Sequence, residues 1–281
     1  MATRKSAFRY GLNTSTISGQ KLPLLQEIEI AAQAGYEAIE PWISELDAYV
    51  KDGGSLRDLG KRLSDKGLAV AGAIGFFEWA VDDDVLRANG LVEAQRNMEI
   101  VAQIGGRHIA APAFGADKVS IPPEKAAQRF DVLAELGAKA GVTPLLEVWG
   151  FSKTLGSLEE AQQVASLRGK RKTCLLLDVY HLYKGGSDAG GIKRLKGALL
   201  PCFHINDYPA APPRDKIDDS DRVYPGDGIA PLAQLFRDLR AIGFSGVLSL
   251  ELFNHEYWKQ DALSVAKTGL EKMKKAVESN Q

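Results

Sequence analysis

Hydrophobic and polar residues along this chain switch repeatedly between two patterns. Short continuous apolar runs, of the kind buried on both faces of a parallel sheet, predict strands at 8–13, 36–40, 68–73, 108–111, 143–148, 173–178, 202–205 and 247–251. Between them, apolar residues recur at intervals of three and four, as in the run LLQEIEIAAQAG, and predict amphipathic helices at 22–34, 56–66, 86–104, 123–140 and 230–242. Gly35, Gly67 and Gly243 each stand between a helix pattern and the next strand, where a left-handed cap ends a helix. Strands that alternate with helices from end to end are the mark of a parallel α/β architecture. Eight such strands predict a single (β/α)8 TIM barrel spanning 1–281, a length that suits the roughly 250 residues this fold needs. A doubly wound sheet is the alternative, but it gathers ligands at one switch point, and the polar strand ends of this chain are spread over several strands.

The chemistry lies at those ends. Glu147 closes PLLEVWG, Asp178 closes CLLLDVYH, His204 lies in PCFHIND and Glu251 closes LSLELFN, spaced 31, 26 and 47 residues apart. A strand, a helix and two turns take about 30 residues in a βα repeat. The last gap is long because 208–225 reads as an inserted loop. In a parallel barrel these ends converge on one mouth. Three carboxylates there would raise one another's pKa unless they shared a cation. Glu147, Asp178, His204 and Glu251 are therefore the expected ligands of one divalent ion. Hard oxygens with one imidazole suit Mn²⁺, Mg²⁺ or Co²⁺, with Zn²⁺ also acceptable to the set.

Composition narrows the partners. The formal net charge is −1 with no block of Lys and Arg, so nothing draws nucleic acid or an anionic membrane, and a small sugar or polyol is the expected substrate. Cys174 and Cys202 fall inside predicted strands and read as buried free thiols. The N-terminus has no apolar core of a signal peptide and no run of 18 apolar residues occurs, which predicts a cytoplasmic protein. A homodimer and a homotetramer both remain open as assembly states.

Glu147, the run Asp178-Val-Tyr-His181, His204-Ile-Asn-Asp207, Asp221-Arg222-Val-Tyr-Pro-Gly-Asp-Gly228 and Glu251 together resemble the xylose-isomerase-like sugar phosphate isomerases and epimerases. That group includes D-tagatose 3-epimerase, hydroxypyruvate isomerase and the inosose isomerases and dehydratases. The resemblance covers essentially the whole chain and implies the same barrel and metal ligands. It also implies that Glu147 and Glu251 act as proton carriers on opposite faces of the substrate, through a metal-bound cis-enediolate. His181 and Arg222 then contact substrate oxygens. One departure concerns the segment after Glu147, Trp149-Gly-Phe-Ser-Lys153-Thr154. Ketohexose epimerases carry a substrate-contacting glutamate there, so Lys153 is expected to meet an anionic or differently hydroxylated guest.

Other residues carry weaker signals. Trp149 is expected to wall the pocket against a sugar ring, and Trp42, Phe76, Phe77, Trp79, Phe114 and Glu40-Pro41 could join it or pack the core. Asp207 either orients His204 or caps the following loop, and His108 reads as structural. The leading function is a metal-dependent sugar isomerase or epimerase; the alternative is a lyase that expels a β-hydroxyl from the same enediolate. A phosphodiester hydrolase of the endonuclease type fits less well, because such sites gather many more histidines than the four present here. A silent sugar-binding protein would have no use for both glutamates.

Overall fold

The computed structural model describes residues 8–169 and 171–279; the N-terminal segment read for targeting lies mostly outside the described residues. Its elements are β1 (Arg9–Asn13), α1 (Leu24–Ala34), β2 (Ala38–Glu40), α2 (Ile43–Lys51), α3 (Leu56–Asp65), β3 (Ala69–Val70), α4 (Asp84–Gln103), β4 (His108–Ala111), α5 (Pro123–Ala140), β5 (Thr143–Glu147), α6 (Leu158–Leu167), β6 (Leu175–Asp178), α7 (Val179–Lys184), β7 (Cys202–Ile205), α8 (Leu232–Ala241), β8 (Val247–Leu250) and α9 (Ala262–Glu278). The eight strands form one parallel sheet in the order β3-β2-β1-β8-β7-β6-β5-β4. Its two outer strands meet through Ala73, whose N–H donates to the His108 carbonyl (3.2 Å) and whose carbonyl accepts from Ala110 (2.9 Å). The sheet thereby curls into a barrel. Among the described residues no helix is long and apolar enough to cross a membrane.

The period of two along a strand decides what faces the interior. Ala38, Ala110, Leu145, Leu176, Cys202 and Val247 pack together in a small central cluster, while the larger cluster lies between sheet and helices. Two residues beyond these central side chains stand Glu40, Glu147, Asp178, His204 and Ser249. The polar groups are thus the next layer of the barrel interior, on its C-terminal side. Gly11 completes the layer below on β1, where a Cβ would meet Val247 Cγ1 at 2.7 Å, and Asn13 follows two residues later. Register fixes neighbours across strands: Asn13 pairs with Glu40, Asp178 with His204, and His204 with Ser249. Both Cys174 and Cys202 are free and buried.

Candidate active site and metal centre

Ligand atoms of Asp178, His204 and Glu251 all lie within 4.8 Å of one another, at the ends of β6, β7 and β8. His204 Nδ1 is 3.2 Å from Glu251 Oε2 and 3.9 Å from Asp178 Oδ2, yet it is buried and makes no hydrogen bond. Glu147 Oε2 is likewise buried without a partner. Buried polar atoms rarely stay unpaired. A nitrogen lone pair and carboxylate oxygens directed at shared space are what a divalent cation requires, so this donor set fits one. Glu147 lies outside the tight threesome but lines the same cavity as Glu251.

That cavity, about 510 Å³, opens at the barrel mouth and has two kinds of wall. Trp42, Phe76, Trp149, Phe151, Phe253 and Trp258 supply aromatic faces, and His181, Asp218, Asp219, Arg222 and His255 supply polar ones. Phe76 packs edge-on to Trp42 (5.6 Å between ring centres) and Trp149 (5.4 Å). Phe114 stacks behind Phe76 at 5.3 Å, while Phe77 and Trp79 are core residues.

Arg222 enters from the 208–225 loop, which an antiparallel bridge between Asp207 and Val223 folds back over the mouth. Its guanidinium is buried, donates to Glu251 Oε2 (2.7 Å) and Asp178 Oδ2 (3.1 Å), and also pairs with Asp219. It lies 4.5 Å over the Tyr180 ring, a cation–π contact, and 3.1 Å from His181 Nε2. Arg222 therefore bears directly on the Asp178 and Glu251 carboxylates, and it also lines the cavity. His181 lines the cavity too, and its backbone N–H donates to Asp178 Oδ1 at 2.9 Å, where Asp178 caps the start of α7.

Burial and neighbouring charges set the proton affinities apart. Burial pushes the Glu147 carboxyl up to about 8, and raises Asp178 although the Arg222 charge opposes it. Burial also works against the Glu251 carboxylate, but His204 and Arg222 outweigh it and hold Glu251 low. Burial, reinforced by Arg222, keeps His181 neutral. For His204, Glu251 and Glu40 overcome burial and favour a positive charge on the ring. A proton or a metal ion can satisfy that demand at Nδ1, and only one of them can hold it.

Of the two readings of Asp207, the loop cap holds: its carboxylate accepts from the N–H groups of Tyr208 (2.8 Å), Gly226 (3.0 Å) and Ala230 (2.8 Å) and ties down the loop. Asn206 donates to Asp178 Oδ2 at 2.8 Å and so orients that carboxylate, not His204. Glu40, read as pocket wall, sits beneath the site and contacts His204 Nε2 at 2.8 Å. Lys153 is exposed, with its N–H bound to the Asp117 carbonyl, and is not among the residues lining the cavity. Lys153→Ala is accordingly expected to leave kcat/KM within about twofold for anionic and neutral substrates alike. A selective loss on anionic substrates would restore its contact role.

From residue 28 to residue 276 the chain matches the family model described as a xylose isomerase-like TIM barrel. An inosose isomerase of Bacillus velezensis is 30% identical over 256 residues, 88% of this chain and 90% of that protein. A 3-dehydroshikimate dehydratase of Pseudomonas aeruginosa is 26% identical over 249 residues, 86% of this chain but 37% of that longer protein. Among solved structures, an IolI protein with a bound zinc atom superposes with a TM-score of 0.88 at 26% identity, covering 98% of this chain and 99% of that one.

Proposed function

Because the chain belongs to the xylose isomerase-like TIM barrel family, we propose that it is a divalent-metal-dependent isomerase or epimerase of a small, neutral α-hydroxycarbonyl polyol, moving a proton with Glu147 and Glu251. The observation that carries this reading is the pair of carboxylates from β5 and β8 facing one cavity beside the Asp178–His204–Glu251 cluster. Glu147, Asp178, His204 and Glu251 would hold the ion, which when bound supplies Lewis-acid polarisation of the substrate carbonyl. The zinc of the similar IolI structure and the Asp178–His204–Glu251 donor set of this chain both support a divalent ion.

Glu147 would exchange the proton next to the carbonyl through the carboxylate oxygen that the ion leaves free, its affinity for that proton raised by burial. Glu251, held as a carboxylate by Arg222, would be the base on the other side, giving back only a proton it has first received. A general base placed in this way contributes about 10²- to 10⁴-fold. The aromatic side chains exclude water and offer flat faces to the C–H face of a ring. A neutral guest is favoured because Glu147, Glu251, Asp218 and Asp219 all line the cavity, while Arg222 already answers three carboxylates. An inosose, as in the name of the Bacillus velezensis relative, has the required ring, carbonyl and adjacent hydroxyl.

The dehydratase relative supports a second reading, in which loss of the same proton expels a β-hydroxyl. Product analysis separates the two. The metal-loaded protein is given a panel of inososes, ketoses and 3-dehydroshikimate. Products of unchanged mass are expected from the ring ketones; a product lighter by one water would favour the lyase, and turnover of 3-dehydroshikimate alone would overturn the isomerase reading.

A further inference from the structure

We propose that Glu40 is the positioning residue of the metal centre: it holds His204 as the Nε2–H tautomer, so that Nδ1 is the ligating nitrogen, and through Asn13 ties Glu251 to the same anchor. The inference rests on the metal reading above and concerns a residue that supplies no ligand to the Asp178–His204–Glu251 cluster.

Glu40 is buried on the inward face of β2, and its Oε2 collects three contacts. Asn13 Nδ2 donates at 3.0 Å, Ser249 Oγ at 2.9 Å, and His204 Nε2 stands at 2.8 Å. An oxygen that already accepts from an amide and a hydroxyl has little capacity left to donate, and a carboxylate only accepts. The proton between Glu40 and His204 therefore belongs to Nε2. That leaves the Nδ1 lone pair directed toward Glu251 and Asp178, where it makes no hydrogen bond. A carboxylate behind a ligating histidine fixes ring orientation and raises ligand basicity, and loss of such a partner costs 10- to 100-fold in metal affinity.

Asn13 extends the brace. Its Oδ1 accepts from Trp42 Nε1 (3.0 Å) and from the Ser15 N–H (3.0 Å), which fixes which end of the amide is which. Its Nδ2 is then directed at both Glu40 Oε2 and Glu251 Oε1, the latter at 3.1 Å. One carboxylate thus couples β1, β2, β7 and β8 at the level of the site. Glu40, Cys202 and His204 could also be read as a second cluster for an ion. That reading is weaker, because Glu40 Oε2 is already saturated. The other Glu40 oxygen is hemmed in: Cys202 Sγ lies 3.8 Å away, and a Cβ on Gly72 would come within 2.9 Å.

Zinc affinity by chelator competition, together with a long-range ¹H–¹⁵N imidazole spectrum of the zinc-loaded protein, tests this. In wild type, His204 is expected to show a protonated Nε2 and zinc at Nδ1, a result that requires no substitution and so no refolding. Glu40→Gln keeps the shape but removes the charge, and is expected to bind zinc 10- to 100-fold more weakly with the circular dichroism spectrum unchanged. Zinc bound through Nε2, or a Glu40→Gln affinity equal to wild type, would overturn the role of Glu40 and leave the metal site standing. Wild type that takes up no zinc, or His204→Ala that binds it as tightly as wild type, would overturn both.

Discussion

Glu147→Gln in the metal-loaded protein is expected to lower exchange of the substrate α-proton by about 10²- to 10⁴-fold while the barrel remains folded. The amide is nearly isosteric and keeps an oxygen toward the cavity, but it cannot accept a proton at neutral pH. Glu147 Oε2 has no protein hydrogen-bond partner whose loss could account for the effect, but Glu147 is also a proposed ligand, so metal content is measured in this variant too. Glu251→Gln is expected to show a comparable loss, with a complication. Glu251 also accepts from Arg222 and Asn13, so its metal content must be measured alongside. Full exchange in either variant with metal bound would remove that glutamate from the role assigned here.

The second large effect is on stability. Arg222→Met is expected to destabilise the protein by about 3–5 kcal/mol, because it leaves the Asp178 and Glu251 carboxylates buried without their charge partner. Replacing a whole buried ion network by apolar groups can be neutral, but removing one member strands the rest, and the second effect governs here. For a chain of this size the melting temperature should fall by roughly 10 °C. A divalent ion should recover part of the loss, since it offers those carboxylates a positive charge in place of the guanidinium. An unchanged melting temperature would mean that Asp178 and Glu251 are neutralised by some other means.

The barrel was readable in the sequence because the strands are short, largely apolar runs separated by helical patterns, and β4 and β7 begin and end where the pattern places them. The ends of others moved for identifiable reasons. Tyr36, read as strand, belongs to the cap of α1: Gly35 is left-handed and the Tyr36 N–H returns to the Ala31 carbonyl. A buried tyrosine looks the same in either place. The candidate ligands were readable because each polar residue ends an apolar run. Glu40 ends Ala38-Ile39-Glu40 in the same way, and the signal was present. In the sequence Glu40 reads as pocket wall, because nothing there reveals that His204 Nε2 needs an acceptor beneath it. Arg222 could be matched to a family position, but its reach to Asp178 and Glu251 depends on the bridge between Asp207 and Val223, a non-local contact with no periodic signature.

Proton transfer by Glu147 and Glu251 is tested most directly by running the metal-loaded wild-type protein with an inosose in D₂O and analysing the product by NMR and mass spectrometry. Transfer through side chains that exchange with solvent predicts one deuterium at the carbon next to the carbonyl, acquired as turnover proceeds. Product that forms at full rate with all its hydrogens retained would point to a direct hydride shift and contradict the account.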